Sequence, residues 1–530
     1  MNLIGNINAI PFRRFRGGGG VVPFPSIPGM IARYSASGLT NEQMKENPVW
    51  KDLTGNGHDL QMKNFAWKGM SGVGGYGDEN HQTFYKFTLD DYVFTATPPG
   101  VKHMNFTFRV TGLQPGNKLT LAFFGTTNTV YGTWDKDGIY TVDADIVEAG
   151  KPTYFYNGYG ATRGEFTIEI LPLYPGALVF DGVDDYGTCD NFPILTKEKG
   201  YTVVALRQWI STPTRYTALV SKLNIGTDGS FVFEEYNNGW LCGSFGKYTE
   251  AITVNNNNPI SWQTSKSYNG ESINVGTSND TDVFSLGKLY HSSNQGGFAN
   301  IALYSLVILD HDATEEELTK IKDYFVKTYP WLFPDQAWTV TGKTNEDEDR
   351  ATIANITGNG NDLVLSNFGF AEGSGYNEEG EYAGYLVTDG VDDKIISSIF
   401  KMGNDWTVIG DWELINTGKN DNAGIVKFDS IVIYNYNSML INIKNGRNIL
   451  IPDQNTVNAI CSDGRIYSKD WKESIYNEET ESTSKNFLTI GYSGNAYTKI
   501  AFKNLAIYPT VLFRDDCIKA YNYLQTLKAK

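Results

Sequence analysis

The sequence predicts an all-β protein in which one kind of sandwich domain occurs twice and a small β domain is inserted into the first copy. The first observation is internal repetition: residues 54–60 (TGNGHDL) return as residues 357–363 (TGNGNDL), and such repetition indicates a duplicated unit. The second is a pair of matching acidic turns at 180–185 (FDGVDD) and 388–393 (TDGVDD). The third is alternation of apolar and polar residues at period two, which is typical of strands.

The two copies differ by one large insertion. Residues 54 and 181 are 127 positions apart, whereas the matching residues 357 and 389 are 32 apart, so the first copy carries 95 additional residues. That length is typical of a small domain. The predicted segments are an N-terminal arm at 1–28, a first sandwich at 29–79 and 175–332, an inserted β domain at 80–174, and a second sandwich at 333–530.

Each copy is expected to close with a strand and a short helix. Residues 300–304 (NIALY) match 504–508 (NLAIY). Thr314 and Glu317 then form a capping box, in which a hydroxyl and a carboxylate satisfy free backbone amides, and Asp515 is the expected cap in the second copy. The expected apolar faces are Leu318, Ile321 and Phe325 in the first helix and Ile518, Tyr521 and Leu524 in the second.

Composition and charge exclude several classes of function. The net charge is −16, which disfavours nucleic acid as a ligand because phosphate binding needs a basic surface. No apolar run approaches the length of a bilayer span, so no membrane insertion is expected. The four cysteines stand singly, which favours buried free thiols and folding in a reducing cytoplasm. Residues 1–20 lack the features of a secretory signal.

The arm at 1–28 differs from the acidic body. It contains three arginines and no acidic residue. Arg13, Arg14, Phe15 and Arg16 precede four glycines at 17–20, a composition typical of a flexible or extended tether. We expect this arm to anchor the protein to a larger assembly.

The order of these motifs resembles that of bacterial laminin-G-like domains of the concanavalin A-like superfamily. Residues 50–57 (WKDLTGNG), 180–186 (FDGVDDY) and the closing strand and helix carry the resemblance, which covers both sandwiches but neither the arm nor the insertion. It implies two concanavalin A-like jelly-roll sandwiches, the first interrupted by a small β-sandwich. Domains of this family commonly bind carbohydrate or protein surfaces, sometimes with Ca²⁺.

No cofactor is required by this interpretation, although Ca²⁺ is a candidate ligand because hard cations take clustered oxygen ligands. The candidate ligands are Asp52, Asp181, Asp184 and Asp185. The alternative is that these carboxylates cap turns through neighbouring amides. In the second copy Asn355 replaces Asp52, so a role that needs this carboxylate is not expected there.

Aromatic residues in polar loops are the candidates for sugar contact, because a sugar ring packs on an aromatic plane while amides bind its hydroxyls. The candidates are Tyr236, Asn238 and Trp240 in one loop and Tyr131, Trp134, Tyr156 and Tyr159 in the insertion. The alternative for each residue is ordinary hairpin or core packing.

One stretch suggests an enzyme. Residues 143–148 (DADIVE) nearly match the Glu-x-Asp-x-x-Glu strand of laminarinase-like glycosidases, in which two glutamates flank the glycosidic bond. However, position 143 holds aspartate, and the stretch lies in the insertion. The alternative is a plain strand whose inward residues are Tyr140, Val142, Ala144 and Ile146. We expect no enzymatic activity.

The sequence therefore favours a non-enzymatic adhesion protein, in our interpretation a phage virion fibre or decoration protein that folds in the host cytoplasm and is released by lysis. Its expected partners are other virion proteins, bound through residues 1–28, and a host-surface or mucosal glycan or protein; a homo-oligomer is compatible with this role. The alternatives are a laminarinase-like glycoside hydrolase and a bacterial cell-surface adhesin.

Overall fold

The computed structural model describes residues 22–77, 84–87, 93–97, 102–123, 128–148, 151–157, 165–224, 229–292, 296–380, 382–398, 400–401, 403, 405–415, 423–428, 431–436, 438–443, 447–451, 457–468, 471, 473–475, 485–486, 488–492 and 497–529. The chain forms two compact units, Val22–Thr328 and Tyr329–Lys530.

The first unit begins with the strands and the short helix that precede the insertion and ends with a longer helix. Its elements in chain order are β1 (Met30–Ser35), α1 (Asn41–Glu46), β2 (Val49–Trp50), β3 (Leu60–Lys63), β4 (Gly72–Val73), β5 (Phe84–Phe87), β6 (Val93–Thr97), β7 (His103–Thr111), β8 (Leu119–Phe123), β9 (Thr129–Trp134), β10 (Gly138–Asp145), β11 (Thr153–Asn157), β12 (Phe166–Leu171), β13 (Leu178–Asp181), β14 (Tyr186–Cys189), β15 (Thr202–Trp209), β16 (Thr217–Ser221), β17 (Phe231–Tyr236), β18 (Trp240–Ser244), β19 (Lys247–Glu250), β20 (Ile260–Thr264), β21 (Ser267–Tyr268), β22 (Glu271–Ser272), β23 (Phe284–Leu286), β24 (Asn300–Leu309) and α2 (Glu315–Thr328).

The second unit begins with a 3₁₀ helix at Pro330–Leu332. Its remaining elements are β25 (Gln336–Thr339), β26 (Thr352–Ile353), β27 (Leu363–Ser366), β28 (Gly375–Asn377), β29 (Tyr385–Val387), β30 (Lys394–Ser397), β31 (Phe400–Lys401), β32 (Thr407–Leu414), β33 (Ala423–Phe428), β34 (Ile431–Tyr436), β35 (Ser438–Ile443), β36 (Arg447–Ile451), β37 (Val457–Cys461), β38 (Arg465–Ser468), β39 (Glu473–Ile475), β40 (Lys485–Asn486), β41 (Leu488–Ile490), β42 (Ile500–Tyr508) and α3 (Arg514–Gln525).

The two sandwiches have the same topology, which confirms the predicted all-β fold. Within the described ranges, the first is built of sheets β22-β21-β20-β15-β24-β13-β4, with β1 also paired to β24, and β19-β18-β17-β16-β23-β14-β3-β2. The second is built of β39-β38-β37-β32-β42-β29-β28, with β25 paired to β42, and β36-β35-β34-β33-β41-β30-β27-β26. Each strand of one sandwich therefore has a counterpart in the other.

The core of the first sandwich lies between its two sheets. Val203 and Ile301 contribute from one sheet, and Phe231 and Leu286 from the other. Every residue of β15 is buried, as expected for a central strand that is covered on both faces. The apolar runs at 203–206 and 301–309 thus lie in buried strands.

The insertion folds as a small sandwich of its own. Its sheets are β10-β7-β12-β5 and β6-β11-β8-β9, and its core includes Phe106, Phe108 and Phe155. Tyr140, Val142 and Ile146 are buried with them, and Ala144 packs against them, so the predicted alternation along β10 is confirmed. Two backbone hydrogen bonds join its last segment to the first sandwich, from the amides of residues 173 and 174 to the carbonyls of residues 75 and 74.

The closing helices follow the prediction in part. In α2 the Thr314 amide donates to Glu317 Oε2 at 2.9 Å and the Glu317 amide donates to Thr314 Oγ1 at 3.3 Å, so the capping box is confirmed. The predicted cap of α3 was wrong: Phe513 is the N-cap. The helix begins at Arg514, so Asp515 lies inside its first turn, where a negative charge is favourable.

The predicted match between residues 300–304 and 504–508 was also wrong. Thr202 pairs with Leu309, and the equivalent Thr407 pairs with Tyr508. Leu309 and Tyr508 are therefore equivalent, and Tyr304 corresponds to Lys503, a shift of five residues. A strand that is apolar on both faces carries little information about its own register.

Residues 22–28 of the predicted arm are packed on the first sandwich. The Phe24 ring lies 4.6 Å from the Tyr324 ring of α2, the Arg33 guanidinium lies 4.6 Å from the Phe24 ring, and Ile27 is buried. These residues belong to the sandwich because they bury apolar surface on it, so the predicted arm does not extend to residue 28. The predicted anchor residues Arg13, Arg14, Phe15 and Arg16 lie outside the described residues.

Two compositional expectations concern cysteines and membrane spans. Cys189, Cys242, Cys461 and Cys517 are buried free thiols, as predicted. Among the described residues, no helix combines the length and the apolar character that crossing a bilayer requires.

Candidate functional site

The β17–β18 hairpin carries three of the predicted sugar-contact residues. The Asn237 amide closes the turn by donating to the Gly239 carbonyl at 2.9 Å, and the exposed Asn238 has a φ of 59°, which asparagine tolerates better than most residues. Tyr236 and Trp240 are cross-strand partners, and their half-buried rings lie 5.4 Å apart edge to face. The hairpin therefore brings Tyr236 and Trp240 together beside an exposed amide.

The Trp240 ring rests on a second tryptophan. Its centroid lies 4.9 Å from that of Trp209, which is 3% exposed. The Trp209 indole donates to Glu234 Oε2 at 2.7 Å. Trp240 therefore has a fixed orientation at the open end of the sandwich core.

Sequence reasoning missed two neighbours, Arg215 and Tyr216. The Tyr216 amide donates to the Tyr236 carbonyl at 2.8 Å, which places Tyr216 beside the hairpin. Its side chain is 37% exposed, and its φ is 62°, a left-handed conformation that is uncommon for an aromatic residue. Little in the sequence indicated Tyr216 as a site residue, because its left-handed conformation and its backbone contact with Tyr236 both depend on the tertiary fold.

Arg215 joins Tyr216 to the hairpin turn. Its guanidinium lies 4.5 Å from the centre of the Tyr216 ring, and its Nε donates to Asn237 Oδ1 at 2.6 Å. A planar guanidinium fixed on a ring presents its other donors in a defined direction. We call Arg215, Tyr216, Tyr236, Asn238 and Trp240 the hairpin surface.

A buried carboxyl group lies on the strand beneath this surface. Glu235 is 3% exposed, and its Oε2 has no hydrogen-bond partner among the described residues. Burial raises its pKa to about 7. Burial also raises the pKa of the nearby Tyr290, with smaller contributions from Glu235 and Tyr216, so these three groups are neighbours.

The adjacent residue, Glu234, forms a buried ion pair with Arg207. Glu234 Oε1 lies 2.6 Å from Arg207 Nη2, and both side chains are almost fully buried. Tyr268 also donates to Glu234, at 2.8 Å. Burial by itself would raise the pKa of Glu234, but the charge and hydrogen bonds of Arg207 lower it below its ordinary value. Glu234 of this pair accepts from the Trp209 indole, and the Trp209 ring in turn supports the Trp240 ring of the hairpin surface.

The predicted aromatic residues of the insertion lie in a different place. Trp134 packs edge to face on Phe108 at 4.9 Å and against the insertion's own core. The Tyr131 hydroxyl accepts a hydrogen bond from the Val147 amide at 3.1 Å. Tyr156 is half-buried on β11, and Tyr159 lies outside the described residues. Core packing accounts for the positions of Trp134 and Tyr131.

The four predicted calcium ligands do not form one site. Asp181, Asp184 and Asp185 have carboxylate oxygens within 4.8 Å of one another, and Asp389, Asp392 and Asp393 repeat this group in the second sandwich. Asp52 does not belong to the group. Its Oδ1 accepts instead from the Thr54 amide at 2.9 Å and the Arg33 amide at 3.2 Å.

The acidic turn is closed by its own carboxylates. Asp181 Oδ1 accepts from the amides of residues 183 and 184 at 2.7 and 3.3 Å. Asp185 accepts from the Asp181 amide at 3.0 Å and from Ser71 Oγ at 2.9 Å. Burial and then Asp181 raise the pKa of Asp185 to about 8. Ca²⁺ takes six to eight oxygen ligands, whereas in this turn Asp181 Oδ1 and Asp185 Oδ2 already accept from amides and Asp185 Oδ1 accepts from Ser71.

Asn355 supports the same interpretation of Asp52. At the equivalent position of the second sandwich its Oδ1 accepts from the Thr357 amide at 3.1 Å and the Ala337 amide at 3.2 Å. A neutral amide thus organises the second Thr-Gly-Asn-Gly turn in the way that the carboxylate organises the first. The shared role of the two side chains is to accept amide hydrogen bonds.

The predicted glycosidase-like stretch does not place Asp143 and Glu148 on one strand. β10 ends at Asp145, and Asp143 is paired through its backbone with Asn105. Glu148 lies beyond the strand, with Oε2 3.9 Å from Lys151 Nζ. β10 therefore does not bring Glu148 beside Asp143.

A shallow cleft of about 430 Å³ lies next to the first Thr-Gly-Asn-Gly turn. Its lining residues are Gly29, Met30, Ile31, Asn56, His58, Pro193, Ile194, Leu195, Thr196, Lys199 and Asp310. Lys199 Nζ lies 3.8 Å from Asp310 Oδ2 at its wall. This lining contains no phenylalanine, tyrosine or tryptophan, so it lacks the aromatic plane that the hairpin surface provides.

No family model and no curated protein matches the chain. Among solved structures it is similar to Trypanosoma rangeli sialidase in complex with sialic acid, at 9% identity and a TM-score of 0.28 over 80% of this chain and 78% of that one. It is also similar to the binding domain of botulinum neurotoxin DC in complex with rat synaptotagmin II, at 8% identity and a TM-score of 0.25 over 64% of this chain and 86% of that one. At these TM-scores the likeness assigns neither a family nor an activity.

Proposed function

We propose that the chain is a non-enzymatic binding protein whose first sandwich recognises carbohydrate through the hairpin surface. The observation that carries this proposal is that Tyr216, held on the Arg215–Asn237 pair, and the Tyr236–Trp240 ring pair lie at the same hairpin. Two independent strand connections meet there, and Tyr216 adopts a strained backbone conformation. Strain of this kind is often retained where it positions a functional side chain.

The chemistry of the hairpin surface suits a saccharide. Exposed or half-buried rings can pack against the CH face of a sugar, and Arg215 and Asn238 offer directional donors and an acceptor to its hydroxyls. Tyrosine and tryptophan have little conformational freedom to lose on binding. The surface is therefore built before a ligand arrives, because Trp240 is already held on Trp209.

The proposal places the protein in a larger assembly. Residues 1–21 carry three arginines, no acidic residue and four consecutive glycines, a composition that suits a tether for an acidic neighbour. The four buried free thiols suit folding in a reducing cytoplasm. Together these features support a phage fibre or decoration protein of laminin-G-like type, which would attach the virion to a host-surface or mucosal glycan.

The test is a glycan-array measurement with matched variants. Tyr216→Ser removes an exposed ring, and Trp240→Leu replaces a half-buried ring while keeping an apolar contact with Trp209. We expect both to weaken glycan binding by about tenfold or more, because aromatic contacts are commonly worth more than 1 kcal/mol at such sites. Tyr248→Ser, an exposed tyrosine on β19, should bind as the unaltered chain does. Equal binding by all four proteins would contradict the proposal.

A further inference from the structure

A second cluster on the first sandwich contains cations instead of acids. Lys288 Nζ lies 3.7 Å from the centre of the Tyr186 ring, and Lys63 Nζ lies 5.7 Å from the same centre. The Phe298 ring flanks Tyr186 at 6.0 Å. Two ammonium groups therefore share one aromatic ring in a chain whose net charge is −16.

The local fold fixes these groups. Lys63 and Tyr186 are register partners on β3 and β14. Lys288 follows Gly287, whose φ is 79° and whose missing Cβ would lie 2.9 Å from the Phe180 ring. A side chain at position 287 would collide there, so glycine is required for the turn that carries Lys288 to Tyr186.

The two charges are not compensated by acids. Lys288 is 3% exposed; burial and then Lys63 lower its pKa to about 8, and no carboxylate raises it. Among the described residues, neither ammonium group has a carboxylate at ion-pairing distance. The nearby Asp190 is bound to His291 at 2.7 Å, and Asp181 and Asp185 accept from amides of the acidic turn.

The second sandwich offers an internal comparison. Lys394 stands where Tyr186 does, and Ser366 is its partner where Lys63 pairs with Tyr186. Tyr492 follows Gly491 as Lys288 follows Gly287, and Lys394 Nζ lies 5.9 Å from its ring. The second sandwich thus keeps the cation–π contact, although its lysine and its tyrosine have exchanged positions. Position 366, which corresponds to Lys63, holds serine, so the second cation is absent there. A stabilising contact needs one lysine, so the additional lysine in the first sandwich calls for another explanation.

We propose that Lys63 and Lys288, flanked by Tyr186 and Phe298, form a binding site for an oxyanion, either free or as the carboxylate or sulfate of an acidic saccharide. An oxyanion bound beside these ammonium groups supplies the charge that this cluster lacks. The adjacent rings offer an apolar surface to the rest of such a ligand. That the ligand is a saccharide rests on the proposed function; the anion site itself does not.

The test measures binding of inorganic sulfate, glucuronic acid and glucose to the full chain at low salt by NMR titration. We expect both anions to bind and Lys63→Met and Lys288→Met each to weaken that binding by about tenfold, as expected for one charge-assisted contact. Lys394→Met is the matched control and should change nothing. Tighter binding of glucuronic acid than of sulfate would indicate a saccharide ligand, whereas equal binding would indicate a site for the anion alone.

Two results would overturn the anion site: no anion binding by the unaltered chain, or unchanged binding by the Lys63→Met/Lys288→Met double variant. Lys63 is exposed, so its replacement keeps the test valid even where the Lys288 variant is poorly folded. Tyr216→Ser should leave anion binding intact. If sulfate binding depends on Lys63 while no glycan binds the hairpin surface, the anion site stands and the proposed function fails.

Discussion

Arg207 Nη2 lies 2.6 Å from Glu234 Oε1 inside the first sandwich, where the second sandwich has Trp412 at the position of Arg207. Both residues follow the bulge of their strand, after Leu206 in β15 and after Asp411 in β32. The same fold thus accommodates either a buried ion pair or a buried tryptophan. The pair in the first sandwich holds Trp209 beneath the hairpin surface.

Arg207→Met should destabilise the first sandwich by about 3–5 kcal/mol, because it leaves the Glu234 carboxylate buried without its counter-ion. Urea unfolding of the full chain, followed by tryptophan fluorescence, measures this loss. The double variant Arg207→Met/Glu234→Gln should recover most of it, since neither charge of the pair then remains buried. A single variant within about 1 kcal/mol of the unaltered chain would contradict this account of the pair.

Glu235 should make the first sandwich less stable at higher pH. Its pKa in the fold is about 7, against 4.5 in the unfolded chain, so the folded state holds the additional proton. This contribution to stability is complete below about pH 4.5 and is lost as the pH rises through about 7. Glu235→Gln should therefore melt a few degrees above the unaltered chain at about pH 8 but not at about pH 5.

The control for this pH effect is Glu250→Gln, which changes an exposed glutamate on β19 of the same sheet. It should shift the melting temperature by the same small amount at both pH values. If Glu235→Gln also shifts the melting temperature by the same amount at both pH values, the Glu235 carboxyl is solvated.

We expect Ca²⁺ not to stabilise the chain, because Asp181 and Asp185 already use carboxylate oxygens to hold their own turn. Adding millimolar Ca²⁺ or EDTA should leave the melting temperature unchanged. Asp52→Asn should cost less than about 1 kcal/mol, since Asn355 performs the same role, whereas Asp52→Ala should cost about 1–3 kcal/mol through lost acceptors. A calcium-dependent rise in melting temperature that Asp184→Ala abolishes would restore the metal interpretation.

Removing the insertion should leave the first sandwich folded. The Leu173 amide lies 2.7 Å from the Gly75 carbonyl, so the chain enters and leaves the insertion at neighbouring points. Replacing residues 78–171 by a short Gly-Ser linker needs no rearrangement of the sandwich strands. Differential scanning calorimetry should retain the transition of the first sandwich, and its disappearance would show that the two parts fold together.

Local signals in the sequence predicted much of the fold. The repeated turns, the capping box of α2 and the alternation along β10 each depend on residues that are near in sequence. The register of β24 could not be read, because a strand buried on both faces lacks a polar face to mark it.

The site was only partly predictable, because its key contacts are distant in sequence. Tyr236 and Trp240 are joined by a tight turn, so their meeting could be predicted. Tyr216 joins them through a strand pairing and a positive φ that no local motif specifies. Lys63, Tyr186 and Lys288 are separated by more than a hundred residues at each step, and only the sheet brings them together.

The central claim is that the hairpin surface binds a saccharide without cleaving it. Isothermal titration calorimetry of the full chain with an oligosaccharide selected on the array tests both parts in one measurement. The account predicts a saturating isotherm with a stable baseline, which Tyr216→Ser abolishes or weakens by about tenfold and Tyr248→Ser leaves unchanged. Continuous heat release that persists after saturation and generates reducing ends, or an isotherm that Tyr216→Ser leaves unaltered, would contradict it.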